Sequence, residues 1–258
     1  MLRIMNENFV AGANARVPEC GLGKFVADYT DEPISYNWFN ILWNIIPIVG
    51  QFLFILSICF HFTKVSNRKR VLIYERGVVV QKISSDNSVK SQEAFDFTKL
   101  QGLRYNKVAR YTSTYGVTTY RGTSVTLSIL DEYNTEKTLL KGMYKNEDEL
   151  PDEYNAIGYA CHEIINRWAP FELRLCNDQL ARTGYATFVT GNKRVKVSRN
   201  SISVNDRSLS NDFTYEFRDG MLYLSPTDKK LKKLSIDVRN MYNSHTFMVA
   251  MAQFFGVK

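Results

Sequence analysis

Residues 38–62, WFNILWNIIPIVGQFLFILSICFHF, form a run of 25 positions without a single Asp, Glu, Lys or Arg. As one helix the run rises about 37 Å, against a bilayer hydrocarbon core of about 30 Å. One tilted helix therefore fills a membrane, whereas two full antiparallel spans need more residues than the run contains. Asn40, Asn44, Pro47, Gly50, Gln51 and His61 interrupt it. Pro47 and Gly50 are tolerated in a membrane helix, and they equally suit the tip of a short hairpin dipping into one leaflet. A single span, a re-entrant or interfacial hairpin, and a buried helix of a soluble core are the three placements open to it.

The flanks favour the single span and orient it. Lys64, Arg68, Lys69 and Arg70 follow the run with no acid before Glu75, whereas Lys24 precedes it together with Asp28, Asp31 and Glu32. The positive-inside rule then puts residues 64 onward in the cytoplasm. These four cations are expected beside the headgroups. Tyr36, Trp38 and Trp43 cluster at the other end, as an interfacial aromatic belt does. Asn37, Asn40 and Asn44 recur at helical spacing and suit a helix–helix contact or a water-facing stripe. The expectation is a single-pass membrane protein with the membrane itself as a partner.

Beyond residue 70 the period becomes two. VLIYE (71–75) and VVVQK (78–82) flank a tight turn. EAFDF (93–97), LQGLRYNKVARY (100–111), SVTLSILD (124–131) and EKTLLKG (136–142) continue the strand pattern. The Thr- and Tyr-rich stretch 111–124 suits strands with a flexible turn. Apolar positions 154, 157, 161, 164, 165 and 168 then step at helical spacing. Pro170 breaks or kinks this helix, and a second helical piece over 171–182 stops at Gly184. Six short strand patterns occupy 185–237, separated by turn residues, and a helix over 244–256 ends the chain. With 45% hydrophobic and 23% charged residues, the bulk of the chain is globular.

The fold expected is α+β: an N-terminal apolar membrane helix or short hairpin, then two antiparallel β units, each closed by a C-terminal helix. The boundaries are a polar leader over 1–37, the membrane segment over 38–62, a first domain over 63–183 and a second over 184–258. The leader holds no apolar core of signal-peptide length. Cys20, Cys59, Cys161 and Cys176 are widely spaced and suit free thiols in a reducing compartment.

Strands followed by one capping helix is also the plan of pleckstrin-homology (PH)-like domains. The motif order resembles a group of uncharacterised bacterial membrane-linked proteins with tandem PH-like domains. Its carriers are GLGKFVADY (21–29), NRKR (67–70), VLIYERGVVV (71–80), AFDFTKLQGL (94–103), TGYATFVTGNKRVKVSRNSISV (183–204) and DFTYEFRDGMLYL (212–224). Where such domains often carry a Trp, this chain has Phe97 in the first copy and Phe213 or Tyr215 in the second. The resemblance implies a membrane-tethered PH-like protein and carries no catalytic residue across.

Motifs for chemistry are sparse. His61, His162 and His245 share no motif, and His162-Glu163 lacks a second His four residues on. No Gly-rich phosphate loop and no nucleophile elbow occurs. Neither metal nor cofactor is expected. Net charge is +7, concentrated in the C-terminal third. There Lys229, Lys230, Lys232 and Lys233 sit in one predicted hairpin loop and suit a phosphorylated headgroup or an anionic membrane surface. Nucleic acid is not expected, because the aromatics fall at core spacing within strands and no RNA-binding signature is present. The leading functional expectation is a non-enzymatic scaffold at the cytoplasmic face, contacting anionic lipid or an unidentified protein partner. The alternatives are an accessory subunit of a larger membrane complex and an enzyme of unrecognised type with a site between the domains.

Overall fold

A computed structural model of the chain describes residues 21–30, 35–37, 63–65, 68–84, 88–144, 155–205 and 207–257. In chain order, the first part contains β1 (Phe25–Thr30), β2 (Ser35–Asn37), β3 (Thr63–Val65), β4 (Arg68–Tyr74), β5 (Gly77–Ile83) and β6 (Val89–Asp96). A 3-10 turn (Phe97–Lys99), β7 (Gly102–Thr114), β8 (Val117–Leu130), β9 (Glu136–Tyr144) and α1 (Ala156–Thr183) complete it. The second part contains β10 (Ala186–Thr190), β11 (Lys193–Val197), β12 (Ser201–Val204), β13 (Arg207–Ser210), β14 (Phe213–Arg218), β15 (Met221–Pro226), β16 (Leu234–Asp237) and α2 (Ser244–Phe255). The fold is α+β, built mostly of antiparallel sheet.

The two parts follow one plan. The first has a four-stranded sheet in the order β1-β4-β5-β6 and a three-stranded sheet β7-β8-β9. The second has β10-β11-β12-β13 and β14-β15-β16. Each has its own core, in keeping with the strand alternation. Val71, Ile73, Val125, Leu127 and Ile129 meet Ile164 and Trp168 of α1 in the first. Phe188, Val195, Ile202, Leu222 and Ile236 meet Phe247 and Met251 of α2 in the second. β4 is apolar without alternation because both its faces are covered. Val71 and Ile73 enter the main core, while Leu72 and Tyr74 pack with Leu22 and Val79 on the other side.

Two expectations need correction. The polar leader drawn over 1–37 is too long, because Phe25–Thr30 is a full member of the first sheet, paired with β4. Its Val26, Ala27 and Tyr29 pack on the main core, and that burial outweighs the weak strand pattern of a short segment. The second correction concerns Pro170, which neither ends nor divides the helix: α1 runs unbroken from Ala156 to Thr183. Pro170 and Asn166 lie on its exposed side, where water can satisfy the carbonyl that loses its donor. Trp168 before Pro170 and Glu172 after it are both buried, so packing holds the helix on each side of the defect. The apolar run 38–62 lies outside the described residues. Among the described residues no helix is long and apolar enough to cross a membrane.

α1 contributes to both cores, Ile157 to Trp168 in the first and Cys176 in the second. The junction centres on Asn243, which takes the left-handed conformation (φ 57°) at the start of α2. Its Oδ1 accepts from the Leu103 N–H (2.9 Å) and from Trp168 Nε1 (3.2 Å), and its Nδ2 donates to the Gln101 carbonyl (3.1 Å). Its own N–H donates to the Leu103 carbonyl (2.8 Å). Gly102 packs closely beside it: a Cβ there would stand 3.0 Å from Tyr242 Cβ, so Tyr242 would have to shift. The Asn243→Ala variant strands two buried donors at about 1–3 kcal/mol each and puts a Cβ residue without a local hydrogen-bonding group at positive φ. A loss of about 3 kcal/mol or more is expected in denaturant unfolding of the full chain. A loss below about 1 kcal/mol would refute the role given to this side chain.

Candidate functional site

The turns of the second unit place Lys193 and Arg207 in the β10-β11-β12-β13 sheet and Lys233 just before β16 of the other sheet, around one cleft. Lys193 opens β11 directly after the Gly191-Asn192 turn, and Arg207 opens β13. Asn205, at φ 52°, locks the β12–β13 turn onto β11. Its Oδ1 accepts from the Arg194 N–H (3.0 Å) and its N–H donates to the Arg194 carbonyl (2.8 Å). Asn tolerates this left-handed conformation better than most residues. Leu234 is buried at the head of β16, which sets the preceding Lys233 at the same place. A cleft of about 390 Å³ lies between them, lined by Lys193, Val204, Asn205, Arg207, Lys233, Leu234 and Ser235.

Its volume falls within the range of small-ligand sites, and its chemistry is that of an anion site. Lys193, Lys233 and Arg207 all line it, and a guanidinium is able to bind a phosphate or carboxylate through two parallel hydrogen bonds. The described lining contains no acid, and among the described residues no carboxylate lies within ion-pair distance of the three cations. Asp206, between Asn205 and Arg207, lies outside the described residues. Of the four lysines singled out from sequence, Lys233 lines the cleft. Lys229, Lys230 and Lys232 stand exposed in the β15–β16 connection beside it. That connection is ordered by Asp228, whose Oδ1 accepts from the Lys230 N–H (2.9 Å). Lys193 and Arg207 escaped the sequence reading because strand pairing alone brings them together.

The other predicted cations divide. Arg70 faces Asp28 across the β1–β4 pair. Its Nε (2.9 Å) and Nη2 (2.7 Å) both donate to Asp28 Oδ2, and the two side chains are only 7% and 14% exposed. Arg70 is thus the ion-pair partner of Asp28. Lys69 Nζ donates to the Thr138 carbonyl (2.5 Å), and Arg68 is half-buried. Lys64 lies in β3 opposite Tyr36 in β2. Trp38, Trp43, Asn40, Asn44, Cys20, Cys59 and His61 lie outside the described residues.

A second surface is the β7–β8 arm. β9 stops pairing at Thr123, opposite Tyr144, but β7 and β8 continue to Thr114 opposite Val117. The tip turns through Tyr115 and Gly116, both at positive φ, as a two-residue hairpin requires. Tyr111, Tyr115 and Val117 are exposed. Lys107, Arg110 and Arg121 lie on the arm, and no acid occurs between Asp96 and Asp131.

Elsewhere the chemistry is quiet. The His162 ring meets Tyr105 edge-on, and His245 is exposed on α2. Among the described residues no three His, Cys, Asp or Glu side chains converge as a metal site. Cys161 and Cys176 are buried and form no disulfide, and burial, reinforced by Glu172, pushes the Cys176 thiol above its ordinary pKa. A cavity of about 10 Å³ beside Cys176 and Glu172 has room for no more than a water. No family model, curated protein or solved structure matches the chain.

The buried and exposed cations should separate in stability measurements. Arg70→Ala leaves the half-buried Asp28 unpaired and is expected to cost about 2 kcal/mol or more. The combined Lys193→Gln, Arg207→Gln and Lys233→Gln variant is expected to melt within about 2 °C of the parent chain. Equal losses in the two variants, measured by thermal unfolding of the full chain, would contradict this division.

Proposed function

We propose that the chain is a non-enzymatic, membrane-anchored scaffold whose two β units are PH-like and stand at the cytoplasmic face. The second unit holds anionic lipid headgroups. The cleft of Lys193, Arg207 and Lys233 carries this reading, because three cationic residues line a space of small-ligand size. The exposed Lys229, Lys230 and Lys232 add positive potential at its edge, each worth about 1 kcal/mol near an anionic bilayer. The repeated plan of a four-stranded sheet, a three-stranded sheet and a closing helix supports the PH-like assignment, as does the motif order in the sequence. The apolar run 38–62 is the element that reaches the membrane.

A second reading, accessory subunit of a larger membrane complex, is favoured by the β7–β8 arm. It offers Tyr111, Tyr115 and Val117 to solvent, and exposed aromatics on a projecting hairpin suit a protein contact.

The headgroup reading is tested by calorimetric titration of the full chain, held in neutral detergent, with inositol trisphosphate at two salt concentrations. Salt-sensitive binding is expected, weakened about 100-fold or more by Lys193→Gln with Arg207→Gln and Lys233→Gln, since charge-assisted hydrogen bonds contribute about 1.5–3 kcal/mol each. No binding, or binding indifferent to the triple change, would remove the lipid part of the proposal.

A further inference from the structure

The two ends of the apolar run are held side by side. In the first sheet Asp28 stands opposite Leu72 and Thr30 opposite Arg70. In the short ladder beyond it Ser35 stands opposite Val65, Tyr36 opposite Lys64 and Asn37 opposite Thr63. From Thr30 to Ser35 and from Arg70 to Val65 the chain advances by the same five residues. The β2·β3 ladder therefore prolongs the β1·β4 pair without a slip in register. Among the described residues, Asn37 and Thr63 are the last pair before the run and the first after it.

The second unit shows what this pair of strands is in the shared plan. There the corresponding strands, β10 and β11, form a plain hairpin closed between Thr190 and Lys193 by Gly191 and Asn192. In the first unit the same hairpin position is occupied by residues 31–67. The run is thus an insertion at a hairpin tip, and a hairpin returns its chain to the level at which it left.

The sequence of the run fits a return. Gly50 is its midpoint, with twelve residues on either side, and Pro47 lies three residues earlier. Turn-forming residues therefore fall where a reversal is needed. Twelve residues rise about 18 Å as helix, close to half the hydrocarbon thickness of about 30 Å. An extended pair long enough to cross would expose unpaired strand edges to lipid, which the bilayer does not tolerate.

We infer that residues 21–37 and 63–257 lie on the same side of the membrane. The chain is then monotopic, its ligand a single lipid leaflet, in place of the single-pass arrangement that the flanking charges suggest. The basic flank after the run keeps its meaning, since both ends now share the cytoplasmic side. This inference rests on the membrane reading proposed above.

The test uses the full chain in native membranes, with Cys20 and Cys59 changed to Ser and a tag at each terminus. Asn37→Cys is combined with Thr63→Cys, and in a second variant Ser35→Cys with Val65→Cys. Opposed residues of an antiparallel pair have Cα atoms about 4.5–5.5 Å apart, inside the disulfide range, whereas a single spanning helix separates the run's ends by about 37 Å. An intramolecular disulfide on mild oxidation in either variant, with both tags digested from the same face of sealed vesicles, is expected. Tags on opposite faces, or no disulfide in either variant, overturn the inference and leave the membrane reading standing. Recovery of the chain in the soluble fraction removes the membrane reading, and the inference with it.

Discussion

Asn243 does not cap its own helix. An asparagine at a helix N-terminus ordinarily accepts a hydrogen bond from the N–H two or three residues ahead, but here its side chain turns outward to Leu103, Trp168 and Gln101 of the first unit. The vacated role is filled from the other side. Glu172, buried on α1, accepts from the Thr246 N–H (3.1 Å) and places a carboxylate at the positive end of α2. Each partner thus supplies what the other lacks. The joint that results satisfies buried polar groups on both sides, so neither unit can leave it without exposing or orphaning them.

Around that joint the two units are arranged by α1, whose first half is core to one and whose second half is core to the other. The aromatic contact of Trp168 with Phe97 (6.0 Å between centroids, edge-on) shows how one side chain does two jobs. Its ring fills the first core, and its Nε1 holds the second unit through Asn243. The indole that the junction needs thus comes from the helix.

Most of the strand order was legible in the sequence, because the units are simple alternations separated by strong turns. Asp219-Gly220, both at positive φ, is a turn of this kind, and so is the closing of α1 at Gly184. What stayed hidden depends on partners far away in the chain. Phe25–Thr30 becomes a strand because Val71, Leu72 and Ile73 lie across from it, with the apolar run between them in sequence. Pro170 looks like a helix breaker until packing on both sides is counted. Arg70 and Lys69 are neighbours in one basic cluster, yet strand alternation turns Arg70 to the half-buried carboxylate of Asp28 and Lys69 to a backbone carbonyl. Of the cleft, Lys233 stood out in a lysine-rich loop, whereas Lys193 and Arg207 carry no local signal and meet it only through the β11–β12–β13 pairing.

The unbroken course of α1 sets a rule for its length. A helix turns about 100° and advances about 1.5 Å with each residue, and α1 reaches the second unit at a fixed phase, since Cys176 must face one core while Ile164 and Trp168 face the other. One residue added on the exposed stretch around Arg174 would swing the basic cleft about a quarter turn around the helix axis and carry Asn243 away from Leu103. The length of α1 can therefore change only near whole turns, with compensating changes at the joint.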